Sequence, residues 1–194
     1  MCRATTLAPD SIRSQRELIR MLVERARFPD AVVAAREYVR LSTSNAESHA
    51  FLALALAGGS RNPPAPDAAD PGAGRRERVH EALVQYQTAL QLNPDDAEVL
   101  ARTAWLLATT GEPALRNGPM AVKMAARACA LTGDQDVRWL CSLAAAQAEV
   151  GQWEAALATV RRARVLAEAK GLTGAVPQCA RLEALFEARK PYRE

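Results

Sequence analysis

The residues of this sequence with the most chemistry to offer are few: His49 and His80, Cys2, Cys129, Cys141 and Cys179, Trp105 with Arg102 close before it, and the series Arg13, Arg16 and Arg20. Either histidine could act as a base near neutral pH. Catalysis needs a constellation, however: a nucleophile beside its base, paired carboxylates in a pocket, a metal cluster or a phosphate cradle. The sequence carries no glycine-rich phosphate loop, no HExxH and no GxSxG. His49 falls at the start of an expected helix and His80 beside a Pro- and Gly-rich stretch, so both read as solvent-facing. No catalytic residue is assigned, and the chain is expected not to be an enzyme.

The four cysteines are widely spaced, with no CxxC pair and no set of imidazoles to complete a metal site. No metal or cofactor is expected. Cys129, Cys141 and Cys179 fall among apolar neighbours in expected helices, where a free thiol behaves as a small hydrophobe; a Cys129–Cys141 contact is left open. Arg13, Arg16 and Arg20 follow helical spacing and make one basic face, suited either to plain solvation or to an anionic ligand. Trp105 near Arg102 either fills space between helices or anchors a partner, as Trp and Arg do in many interfaces.

These residues must be positioned by helices. Hydrophobic residues make up 49% of the 194 and aromatics only 5%, so a core has to be built mainly from Ala, Leu and Val. Alanine favours the helix and is too small to fill a sandwich of sheets. The net charge is +3, and of 25 basic residues only Lys123, Lys170 and Lys190 are lysines. That bias is explained by codon preference as readily as by an anionic partner. The basic residues gather on no single face, so no nucleic-acid partner is expected. No stretch is long and apolar enough to span a bilayer, and the N-terminus lacks the apolar run of a secretory signal. The chain reads as soluble and cytoplasmic, without direct membrane insertion.

Internal repetition organises the helices. With Ala31, Ala82, Ala121 and Ala156 aligned, Ala35, Tyr86, Ala125 and Val160 follow four residues later. Tyr38, Ala89, Ala128 and Ala163 follow seven later, and Leu41, Leu92, Leu131 and Leu166 ten later. These offsets share a helix face, so each segment is expected to bury that stripe. Preceding helices carry their own stripe: Leu18 and Leu22, Leu52 and Leu56, Ala104 and Leu107, and Leu143 with Ala144 and Gln147. Pro94 stops one helix, and Asp95 or Asp96 can cap the next.

The small–bulky–small–Pro order, clearest in ALVQYQTALQLNPDD at residues 82–96, resembles the second helix of the tetratricopeptide repeat (TPR). Over about residues 97–194 the likeness narrows to the terminal repeats of bacterial multi-pass O-glycosyltransferases and related multidomain proteins. The resemblance implies an all-α fold: a right-handed α-solenoid of about four TPR-like helical hairpins plus a C-terminal capping helix. The expected layout is a disordered N-terminus at 1–10, one repeat domain at 11–190 and a tail at 191–194, to which no chemistry is assigned. Repeats are placed at about 12–45, 46–96, 97–135 and 136–170, with an insertion at 58–78 too rich in Gly, Pro and Asp for a regular helix, and the capping helix at about 175–189.

By register with the TPR family, the concave face would be lined by Arg13, Arg16 and Arg20, then Glu47, Ala50 and Leu54, then Glu98, Ala101 and Trp105 with Arg102, and last Arg138, Cys141, Ala145 and Ala148. Trp139 would pack at a helix start and Trp153 would be core. Arg102 matches one position of the family's carboxylate clamp, but the Asn the clamp uses is absent, so chaperone-tail binding is not implied. The expected function is a non-catalytic scaffold or adaptor binding a protein or peptide partner on that face. The alternative is an accessory or detached recruiting module of a bacterial membrane-associated glycosylation system. Partner identity and oligomeric state do not follow from the sequence.

Overall fold

The computed structural model describes residues 9–60 and 71–194. Among the described residues there are nine α-helices and no strand: α1 Pro9–Glu24, α2 Phe28–Leu41, α3 Ala46–Gly59, α4 Pro71–Leu92, α5 Ala97–Thr109, α6 Gly118–Leu131, α7 Val137–Glu149, α8 Trp153–Ala169 and α9 Ala175–Glu187. The chain divides into two compact units, Met1–Pro94 and Asp95–Glu194. In the first unit α1 packs on α2, α2 on α3 and α3 on α4. In the second, α5 packs on α6 and α7, α6 on α7, α7 on α8, and α9 covers α8 and part of α7.

Short polar side chains start several of these helices by accepting their free N–H groups. Asn45 accepts from Glu47, Asn117 from Met120 and Asp136 from Arg138. Of the two candidate caps after Pro94, Asp96 is the one used, accepting from the Val99 N–H at 3.0 Å. Asp95 instead takes the Arg127 guanidinium of α6, 3.1 Å from Nε.

The repeated small residues bury completely. Ala31, Ala82, Ala121 and Ala156 are all at 0% exposure, and the residues four and seven later are no more than 1% exposed. In the second unit Ala104, Ala108, Ala121, Ala125 and Ala146 form one cluster, with Leu107 and Leu143 packed around it. Alanine at the contact lets helix backbones approach closely, so burial comes from proximity rather than from bulky side chains.

Two stripes differ from expectation. The leucines ten residues along do not bury: Leu92 and Leu131 are 45% and 47% exposed, and Leu41 and Leu166 are half-buried. Ten residues leave the side chain about 80° short of the starting azimuth at 3.6 residues per turn, which places it at the edge of the contact. In α1 the buried pair is Ile19 and Leu22, and Leu18 faces solvent.

The insertion at 58–78 also needs correction. Gly58 and Gly59 belong to α3 and residues 71–78 to α4; residues 61–70 lie outside the described residues. Composition argues against helix there, but Pro71 suits a first helical turn, and the buried run Val79, Ala82, Tyr86 and Ala89 extends α4 by packing. At the N-terminus, Pro9 and Asp10 are already helical, and residues 1–8 lie outside the described residues.

Helix ends follow a common device. After α7 the Gln152 N–H reaches back to the Gln147 carbonyl at 2.9 Å, with Gly151 between them at φ +77°, a left-handed closure that glycine adopts without strain. The same closure follows α1, where Arg27 N–H meets the Leu22 carbonyl at 2.8 Å, but the left-handed residue is Ala26 at φ +54°. Ala26→Gly is expected to stabilise Met1–Pro94 by about 0.5–1 kcal/mol, since relief of the Cβ clash exceeds the entropy glycine adds to the unfolded chain. Urea unfolding followed by circular dichroism reads this directly, and an unchanged or lower midpoint would show that the turn is unstrained.

Candidate functional site

In the first unit, Arg13 and Arg20 lie exposed on α1, and Arg16 forms an ion pair with Glu47 of α3 at 3.2 Å. Glu47 also accepts from the Tyr38 hydroxyl at 3.3 Å. Burial, and then the Glu47 carboxylate, raise the Tyr38 phenol above its ordinary value. The basic series is thus answered in part by the unit's own carboxylate. Leu54 is half-buried on α3.

In the second unit, Glu98, Arg102 and Trp105 follow one another along α5 on one side of the helix, and Arg102 pairs with Glu98 at 2.7 Å. From α7, Arg138 lies over the ring of Trp139 at 4.6 Å and pairs with Asp136 at 2.8 Å. Burial acts to raise the Asp136 carboxyl, but hydrogen bonds from the Arg138 side chain and backbone outweigh it and hold the group below the ordinary value. Trp139 is 6% exposed, as a packing residue should be, whereas Trp153 is half-buried rather than core. Ion pairs this exposed contribute about 0–1 kcal/mol each, so they orient side chains more than they stabilise the fold.

Cys141 does not line an accessible face. It is 4% exposed and its Sγ lies 3.6 Å from Sγ of Cys179 on α9, so the contact runs between α7 and the covering helix and not between Cys129 and Cys141. The hydrogen bond to Cys179 and burial push the Cys141 thiol up, and burial pushes the Cys129 thiol up to about 12. These are packing thiols with little nucleophilic character at neutral pH.

His49 is also not the solvent-facing residue expected. It is 8% exposed, with Nδ1 2.7 Å from Gln85 Oε1 and Nε2 2.9 Å from the Thr43 carbonyl oxygen. It ties α3 to α4 and to the α2–α3 connection, a structural task that uses both ring nitrogens. His80 is exposed on α4.

Sequence reasoning missed the segment 191–194. Tyr192 sets its ring 5.4 Å from that of Trp105, and Glu194 Oε1 accepts from the Trp105 indole N–H at 2.6 Å. The Glu194 backbone N–H donates to the Thr109 carbonyl at 2.9 Å, and Arg193 donates to the Ala108 carbonyl at 3.1 Å and pairs with Glu149 at 2.5 Å. Ala108 and Thr109 close α5, where carbonyls lack helical partners, so a segment laid there satisfies them. Its sequence signal was an aromatic followed by a basic and an acidic residue just beyond Pro191.

The geometry defines an all-α protein of packed helical hairpins with small residues at the helix contacts, the α-solenoid fold class of the tetratricopeptide type. No protein-family model matches the chain, and a search of the curated proteins gives no match. Among solved structures, the crystal structure of a thermophilic TPR protein of Thermus thermophilus is similar to it, with a TM-score of 0.66 at 18% identity over 92% of this chain and 80% of that one. A likeness at that identity shows the fold. Among the described residues, no helix is long and apolar enough to cross a membrane.

Proposed function

We propose that this protein is a non-catalytic scaffold that binds an extended peptide segment of a partner protein on the α5 side of Asp95–Glu194, with Glu98, Arg102 and Trp105 as the contact residues and Arg138 at its margin. The observation that carries this reading is the seat of residues 191–194: Trp105 and the last carbonyls of α5 already hold a peptide segment by a ring contact, an indole N–H and hydrogen bonds from the Glu194 N–H and the Arg193 guanidinium. Stacking and indole donation at a half-buried Trp are the terms that anchor peptide ligands in helical grooves. The arginine face of α1 and Leu54 of α3 offer the first unit a second contact surface of the same kind.

A photo-crosslinking amino acid placed at the exposed Glu98 tests the reading. Irradiation in a lysate of the source cells is expected to join residue 98 to a defined partner peptide, with the yield cut at least about tenfold in a folded Trp105→Ala background, the loss of about 1.4 kcal/mol or more typical of an anchor. Crosslinks that are absent, or that Trp105→Ala leaves unchanged, would overturn it.

A further inference from the structure

The α5 site is occupied by the chain itself, and its occupant has a defined chemistry. After α9, the left-handed residue Arg189 at φ +52° closes the helix and reverses the chain toward α5. Lys190 N–H completes that closure on the Leu185 carbonyl at 2.9 Å. Tyr192 then enters between Trp105 and Arg181, whose guanidinium carbon lies 5.4 Å from the centre of the Tyr192 ring. A recess of about 330 Å³ remains beside this ring, lined by Trp105, Pro177, Gln178, Arg181, Leu182 and Tyr192. A Cβ at residue 111 would stand 3.1 Å from the Glu194 carbonyl oxygen, so Gly111 leaves the space in which the segment lies.

Three consecutive residues each meet a matched partner: an aromatic ring against Trp105 and Arg181, a guanidinium against Glu149 and the Ala108 carbonyl, and a carboxylate on the Trp105 indole N–H. The segment is half-buried at Tyr192 and Glu194 and exposed at Arg193, so it lies on the surface of the unit rather than in its core.

We infer that residues 191–194 are a built-in ligand of the α5–α9 recess, and that the recess takes from a partner an extended segment with an aromatic, a basic and an acidic residue in that order, which enters by displacing the chain's own. This rests on the reading of the α5 side as a peptide-binding surface and adds the chemistry of the ligand and the competition that regulates it. Tethering sets the scale. A segment on a short linker has an effective concentration of about 1 mM, so a free peptide with a Kd of about 0.1 mM for the open site would find it closed about nine times in ten, and would bind the intact chain about tenfold more weakly.

The test uses the full chain and its Tyr192→Ala, Glu194→Ala variant, labelled with ¹⁵N, with the indole resonance of Trp105 assigned through Trp105→Phe. The probe is the synthetic peptide Lys-Pro-Tyr-Arg-Glu, with a scrambled peptide of the same composition as control. The Trp105 indole resonance is expected to move in the variant and to return on titration with the probe but not with the scramble, and the variant is expected to bind the probe about tenfold more tightly than the intact chain. An indole resonance unchanged in the variant would show that the segment does not occupy the site. Equal affinity for both chains would remove the competition, and absence of binding to either, with both proteins folded by circular dichroism, would remove the ligand assignment. Either of the last two results alongside a surviving crosslink at residue 98 sinks this inference alone; loss of that crosslink with probe binding intact sinks the scaffold reading.

Discussion

Replacing Phe186 with alanine is expected to remove about 3–5 kcal/mol from the stability of Asp95–Glu194. Phe186 is 0% exposed and stands with Cys179 and Leu182, at 0% and 1%, on the face of α9 that covers α8 and α7. A stack of helical hairpins ends in an apolar face, and here α9 packs on α8 and α7 and buries its own apolar stripe against them. Truncation removes the ring's transfer free energy and leaves a cavity in a fully buried contact. A domain of this size has about 5–15 kcal/mol in all, so the loss is a large part of the total. All three tryptophans, Trp105, Trp139 and Trp153, lie in this unit, so tryptophan fluorescence during urea unfolding reports it selectively. A shift in the transition worth less than about 1 kcal/mol would show that α9 is not a structural cover.

Gly58→Ala is expected to destabilise Met1–Pro94 by about 1–3 kcal/mol, the usual effect of an added methyl in a filled contact. Composition alone puts Gly58 at the edge of a loop. It lies instead inside α3, buried, with the Phe28 ring of α2 laid against its Cα. A Cβ would overlap the near edge of that ring and still be only 2.7 Å from Cζ. Alanine is the better helix former, so on propensity alone the change would stabilise by about 1 kcal/mol. The sign of the result therefore decides whether local preference or the α2–α3 contact controls this position. The effect should appear in the circular dichroism melt and leave the tryptophan signal of the other unit unchanged. Stabilisation would mean that Phe28 moves aside freely and that the contact contributes nothing.

The helices were legible because their signals are local. Small residues at offsets of four and seven mark a buried stripe whatever the stripe meets, and Asp96, Asn117 and Gly151 mark helix ends through hydrogen bonds to residues a few positions away. The candidate contact residues were legible only as a register. Glu98, Arg102 and Trp105 share a side of α5 by spacing, but spacing does not reveal that Arg102 is paired with Glu98 or that Cys141 is turned onto Cys179. His49 shows the same limit. Its position near a helix start suggests solvent, and the partners that bury it, Gln85 and Thr43, come from α4 and from the connection before α3.

Reading the chain alone is enough to establish that its regular elements are helices, that they pair as hairpins of the tetratricopeptide type, and that small residues form the contacts. Those properties follow from the 3.6-residue period and from caps and turns that act within a few residues. Which polar side chains face solvent, and what lies on Trp105, depends on how the helices pack. The indole N–H of Trp105 and the carboxylate of Glu194 meet across 89 positions of chain, and nothing periodic links them. Such a contact forms because folding of α5 through α9 brings the last carbonyls of one helix beneath a segment that leaves another, a juxtaposition set by packing and written in no local pattern.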